Sequence, residues 1–310
     1  MANTGGMPSS ALRPQTQPLQ RTAGYLSCAL AGCCWGTGFF FGKVALEELS
    51  VAHMVLYRIA FGSLGMLPVV LLHRQRFSRN EWLILLVSAL LGVPIQFLIQ
   101  FEGLAHTTVS HASLMVGTMP VILALGAAIF AHERLDRIGW AALGASTLGA
   151  GLIALSGKHS AAAGTHGPSL YGDLLVVFSL IVALGWILLN KRLIERHPPL
   201  VVTAYVIITG TAMLAIWVVL RDGPPPVHIS GKAWFALAAS GLLATALSTS
   251  AWNWGLGRIP ASEAGVFLNL EPLIGSLLGI TLLGESLGPA AWIGGAAILA
   301  AAFILTSRRK

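Results

Sequence analysis

Ten apolar runs divide the chain, near residues 22–42, 52–72, 82–101, 108–130, 138–156, 171–190, 199–220, 233–255, 262–283 and 290–306. Each approaches the ~20 residues that a helix needs to cross a bilayer core. Polar or helix-breaking stretches separate them: His73-Arg74-Gln75-Arg76 after the second, Glu133-Arg134-Leu135-Asp136-Arg137 after the fourth, Lys191-Arg192 and Pro198-Pro199 after the sixth, and Pro224-Pro225-Pro226 before the eighth. A stretch rich in Gly, Ser and Ala over 157–169 is the longest central loop. Sustained period-two alternation is absent, which argues against a membrane β-barrel. The pattern predicts an all-α integral membrane protein with ten transmembrane helices.

Composition agrees. Hydrophobic residues make up 55% and charged residues 10% of the 310, against roughly 25% charged in a soluble domain. That few charges cannot cover a soluble globule of this size, so a soluble enzyme is excluded, as are a disordered chain and a disulfide scaffold. Cys28, Cys33 and Cys34 all lie in the first run and read as small packing residues. The net charge of +7 matters through its distribution, and no nucleic-acid partner follows from it. With the N-terminus inside, fourteen of the nineteen Lys and Arg residues fall in inner segments; Lys43, Lys158, Arg221 and Lys232 fall outside, and Arg58 lies within a span. The positive-inside rule therefore places both termini in the cytoplasm. Arg13 and Arg21 ahead of the first run look like the start of a signal peptide, but the run is too long and more spans follow, so it reads as an uncleaved span.

A shift of 152 residues matches the chain to itself. Gly103-Leu104 falls on Gly255-Leu256, Ser110 on Ser262, Pro120 on Pro272, Glu133 on Glu285, Leu135 on Leu287 and Trp140 on Trp292. Each copy holds five spans, an odd number, so the second copy enters the membrane inverted, an arrangement recurrent in secondary transporters. The copy of His132–Arg137 that falls outside has lost its arginines. The expected organisation is a disordered cytoplasmic tail over 1–21 with Pro8, Pro14 and Pro18, a first repeat over 22–156, a periplasmic linker over 157–170, a second repeat over 171–306 and a short cytoplasmic tail over 307–310.

The ordered set Trp35-Gly36, Lys43, Arg58, Pro120, Glu133-Arg134-Leu135, Gly172-Asp173, Trp186, Trp252-Asn253, Glu271-Pro272 and Gly284-Glu285 resembles the EamA family of the drug/metabolite transporter superfamily over nearly all of 22–306. Ala251-Trp252-Asn253 is similar to the aromatic amino-acid and methyl-viologen exporters of the YddG type. The resemblance implies a secondary-active exporter in the bacterial inner membrane, without cofactor, that moves amino acids or related metabolites by alternating access, with protons as a candidate coupling ion. A multidrug exporter of lipophilic cations is the alternative, ahead of a channel or a membrane-embedded enzyme. The family often has a polar or acidic residue before the first-repeat proline; here it is Met119.

Glu271 is the most unusual residue. It lies about nine residues, or ~14 Å, into its run, near the middle of a ~30 Å core. An ionised carboxylate there needs a cavity, a proton or a partner. Pro272 follows and opens the helix, and Asn269 is nearby. Two readings stand: a site for a substrate amine or a proton, or a hydrogen bond that fastens the kink. Arg58 suits planar pairing with a substrate carboxylate, or an internal partner. Gln96, Gln100, Glu102 and His111 gather toward the outer half of spans three and four, as vestibule residues or as solvated span ends. Trp35 and Trp186 are candidate aromatic walls. Pro120, Pro272, Gly36 and Gly38 are candidate gating or kink positions; Gly32–Gly36 and Gly38–Gly42 also form small-xxx-small pairs that permit close packing. Gly284-Glu285-Ser286-Leu287-Gly288 fits G-x-S-x-G but joins two spans instead of a strand and a helix, and metal-ligand spacings are absent.

Overall fold

Proline marks three of the places where the apolar runs break. A helical proline cannot donate to the carbonyl four residues back, and three runs are remodelled where this occurs. The computed structural model describes residues 18–130, 137–156, 168–259 and 264–308; the expected tail up to residue 17, the linker core over 157–167 and the Glu133-Arg134-Leu135 motif lie outside the described residues. Helices α1 (Pro18–Ala45) and α2 (Val51–Leu72) are continuous. The run predicted at 82–101 is two helices, α3 (Arg79–Leu90) and α4 (Gln96–Ala105), joined by a π-helical turn, Leu91–Ile95, that contains Pro94. The run at 108–130 divides into α5 (Val109–Val116) and α6 (Met119–Phe130), with Pro120 unable to bond the Val116 carbonyl. After α7 (Arg137–Ser156), α8 (Leu170–Ile194) and α9 (Pro199–Asp222), a second π-helical turn, Leu242–Leu247, joins α10 (Gly231–Gly241) to α11 (Ser248–Leu256). The run at 262–283 starts as a tighter helix, Gly265–Asn269, and becomes α12 (Leu270–Leu282) around Pro272; α13 (Pro289–Arg308) completes the bundle.

Among the described residues, seven helical stretches are long and apolar enough to cross a bilayer, and Phe267–Leu282 and Pro289–Ile304 are shorter apolar helices. The described residues are helices and turns, consistent with a multi-pass membrane protein. Leu64, Leu72, Leu148, Leu220 and Phe235 are among many large apolar side chains left exposed, as expected where lipid replaces water. Cys28 and Cys34 are buried and free.

α1 is the central helix, packed on α10, α11 and α12, while α2 pairs with α9, α4 with α8, and α7 with α13. A continuous core of Phe39, Met54, Ile59, Phe101, Leu104 and Met115 runs between α1, α2, α4 and α5. The ends of the helices are finished by capping. Ser78 accepts from the Glu81 amide while Glu81 accepts from the Ser78 amide, a reciprocal cap on α3. Ser50, Thr108, Ser169 and Ser230 cap α2, α5, α8 and α10.

Candidate functional site

The site is assembled on α1, whose glycines let three helices approach it. A methyl group added at Gly36 would lie 2.7 Å from Ile274 Cβ and 2.8 Å from the Glu271 carbonyl oxygen. α1 therefore lies against α12 beside Glu271, as the small-residue spacing anticipates. Two residues on, Gly38 faces another way: its methyl would stand 3.4 Å from Arg58 Nη2 and 3.2 Å from Ala244 Cβ. Trp35, just before Gly36, has its ring 5.3 Å from that of Trp252 on α11.

Arg58, on α2, is 5% exposed. Its guanidinium carbon is 4.9 Å from the Phe97 ring centre and 4.7 Å from that of Phe101, both on α4. Such contacts stabilise a desolvated cation but use none of its donors. Nε and Nη1 have no hydrogen-bond partner. Burying unused donors of a charged group is costly, so the arrangement favours any planar anion that enters.

Glu271 supplies the opposite charge. It stands in the first turn of α12, where the free amides of a helix start favour a carboxylate, and its side chain keeps partial exposure. Glu271 and Arg58 act on each other electrostatically, without a direct ion pair among the described contacts. Pro272, in the same turn, needs no amide partner there. Pro120 occupies the corresponding place at the start of α6.

The other predicted residues fall into separate groups. Trp186 Nε1 donates to Gln96 Oε1 at 2.6 Å, joining α8 to α4, and the ring covers Gly92 in the π-helical turn. Ser88 Oγ donates to Asn190 Oδ1 at 2.6 Å on the same seam. Gln100 is buried on α4. Asn269, partly buried, ends the tight turn before Glu271. Glu102 pairs with His106 at the half-exposed end of α4.

His111 belongs to a buried cluster that sequence reasoning did not assemble. Its Nδ1 is 3.1 Å from Asp173 Oδ2, and Thr107 Oγ1 donates to Asp173 Oδ1 at 2.6 Å. Around it, the turn between α4 and α5 is held from several sides. Lys43 Nζ donates to the Leu104 and Thr107 carbonyls at 2.8 and 2.7 Å. Glu285 accepts from the Val109 and Ser110 amides, both at 2.7 Å. Gly284, with φ of 65°, makes the turn that delivers Glu285, so the G-x-S-x-G match is a helix connection. Ser169 Oγ donates to the His106 carbonyl. The lone acid Asp173 in an apolar run was the available signal; Lys43 appeared in the count of outer basic residues and Glu285 in the internal repeat, but neither pointed to this turn.

Three more ties close the same end. Glu48 accepts from the Ser230 hydroxyl and amide, which holds its carboxyl below the usual range, and Lys232 pairs with Glu47 at 2.7 Å. Tyr57 Oη donates to the Pro226 carbonyl at 3.0 Å. At the opposite end, Glu81 meets Arg196 and His197, and Tyr205 Oη accepts from the Gln75 amide.

A model of the EamA-like transporter family matches the chain twice, over residues 22–155 and 170–307. A protein of Archaeoglobus fulgidus, named an uncharacterized transporter, is 24% identical over 92% of this chain and 98% of its own length. A probable terminal-alkyne amino-acid exporter of Streptantibioticus cattleyicolor is 28% identical over 87% of this chain and 86% of its own. A solved crystal structure at 19% identity shares the fold, with a TM-score of 0.62 over 91% of this chain and 96% of that one. The two matched stretches take in the central helix, both charged residues beside it and nearly every helix of the bundle, and the chain belongs to the EamA-like transporter family.

Proposed function

We propose that the protein is a secondary-active exporter of amino acids, aromatic or otherwise apolar, that works by alternating access in the bacterial inner membrane. The observation that carries this is buried Arg58, with Nε and Nη1 unpaired and Glu271 opposing it. A zwitterion meets both charges at once: its carboxylate takes the guanidinium donors, its ammonium takes Glu271, and its side chain lies against Trp35, Trp252, Phe97 or Phe101. The amino-acid exporter among the relatives supports the same substrate class. A lipophilic cation would gain from Glu271 and the rings but be repelled by Arg58.

The architecture behind this reading is ten spans in two inverted five-helix repeats. The π-helical turns at Leu91–Ile95 and Leu242–Leu247 fall together under the 152-residue shift. Packing pairs exchange in the same way: α1 on α11 corresponds to α8 on α4, while α2–α9 and α7–α13 each pair a helix with its own copy. With both termini cytoplasmic, the Lys43 end faces outward, and its ties give a conformer closed on that side. Reporter tags at both termini and in the 74–79 loop are expected to read cytoplasmic, and tags over 157–169 periplasmic. A periplasmic C-terminus would overturn the ten-span arrangement.

Overexpression is expected to raise tolerance to p-fluorophenylalanine and to lower intracellular phenylalanine. Resistance confined to lipophilic cations, with no amino-acid efflux, would instead establish the multidrug reading.

A further inference from the structure

We propose that the coupling ion is a proton and that its site is Nε2 of His111, with Asp173 as the fixed counter-charge. This rests on the exporter reading above, and it assigns the proton to a cluster apart from the substrate charges.

His111 and Asp173 are each 1% exposed. Asp173 is in the first turn of α8, where the helix dipole favours the ionised carboxylate. One oxygen of the ionised carboxylate accepts from Thr107 and the other accepts a hydrogen bond from His111 Nδ1–H, which sets the tautomer of the neutral ring. Nε2 then carries a lone pair, buried, with no hydrogen-bond partner. In that state the cluster holds a buried negative charge met only by neutral donors. A hydronium ion gives its proton to Nε2, its O–H bond breaking as N–H forms and water leaving, which makes an imidazolium beside the carboxylate and brings the pair to net zero. A buried charge without a compensating opposite charge is costly.

The surrounding charges leave this role to His111. On α1, Lys43 is engaged with the Leu104 and Thr107 carbonyls, and Glu285, before α13, is engaged with the Val109 and Ser110 amides. On α4, Glu102 and His106 pair with one another near the surface. α7 and α13 carry their charged residues, Arg137 and Arg308, at the opposite end. α12 brings Glu271, whose electrostatic partner is Arg58.

Position couples the site to movement. His111 is on the short helix α5, one face of which meets Asp173 on α8. Another face lies on α12, with Ser110 Oγ 3.3 Å from the Ser276 carbonyl oxygen and Ser113 against Gly275, one turn after Glu271. Parting α5 from α8 admits water to Nε2 and shifts α12, the helix that carries Glu271. Closing again favours the protonated pair, so occupancy by a proton and closure at the Lys43 end support each other.

His111→Asn retains a donor to Asp173 but has no lone pair to titrate. In proteoliposomes, phenylalanine movement driven by a pH gradient is expected to fall about tenfold or more, while phenylalanine exchange at equal pH persists. Gradient-driven movement at the wild-type rate in His111→Asn would overturn the proposal, as would wild-type exchange that ignores the gradient. A second measurement needs no transported substrate. In nanodiscs, 15N-histidine spectra of the wild type are expected to show His111 gaining a proton at Nε2 within the pH range in which the bundle stays folded, with the transition displaced in Asp173→Asn. A His111 signal that keeps the neutral Nδ1–H form throughout overturns the proposal even if the His111→Asn protein does not fold. Failure of the wild type to move phenylalanine at all would count against the exporter reading, and the spectra would still decide the proton site.

Discussion

Replacing Glu271 with glutamine is expected to lower amino-acid export by roughly 10- to 100-fold, the worth of one hydrogen bond to a charged group. Glutamine keeps the shape and the hydrogen-bonding reach of the side chain but removes the charge that opposes Arg58. Folding should change little. The carboxylate gains only ~0.3–1 kcal/mol from the start of α12, and its removal also ends the cost of holding a charge deep in the bundle. The check is initial efflux measured beside expression level and thermal unfolding in detergent. Normal export by Glu271→Gln would show that charge at 271 is unnecessary. A protein that no longer folds would make the residue a fastener of the Asn269–Pro272 break.

A large loss of stability is expected from Gly36→Val. Two α12 backbone atoms, the Glu271 carbonyl oxygen and the Gly275 nitrogen, stand 2.8 and 3.1 Å from the place its Cβ would take, and Ile274 Cβ is at 2.7 Å. Backbone cannot turn aside as a flexible side chain can, so α1 must move away from α12. Overpacking of this kind costs about 1–3 kcal/mol, and here it also separates the helices that carry Trp35 and Glu271. Gly151→Ala is the control. Nothing lies within 4 Å of its Cβ position on α7, and replacing a helical glycine by alanine there should stabilise by about 0.4–1 kcal/mol. Thermal unfolding that ranks Gly36→Val equal to wild type would refute the close α1–α12 approach.

The resemblance to the family, made on residues spread from Trp35 to Glu285, is met by the family match over 22–155 and 170–307. Within that frame, Glu271, Arg58, Gly36 and Gly38 stood out individually because each is locally anomalous: a charge inside an apolar run, or a side chain too small to fill one. The structure brings these four to one place. It sets Gln96 and Trp186 on a neighbouring seam and His111 in a cluster of its own. The apolar runs were legible to within a few residues, but their internal divisions were not. Pro94, Pro120 and Pro272 each mark a break, yet Pro68 sits inside the continuous helix α2. A fourth break, at Leu242–Leu247, holds no proline at all.

By itself the sequence determined that this chain is helical and embedded in a membrane, which residues are costly to bury, and which points of α1 are narrow enough for another helix. These follow from composition and short-range spacing, because hydrophobic length and the cost of a buried charge are local quantities. Only the tertiary structure decided that Arg58 is framed by two rings from α4, that Glu285 holds amides 175 residues or more away, and that Asp173 receives both Thr107 and His111. The reason is the solvent. In a bilayer the lipid-facing and core-facing sides of a helix are both apolar, so the pattern that reveals a buried face in water is missing, and the partner of a polar side chain is chosen by how the helices pack.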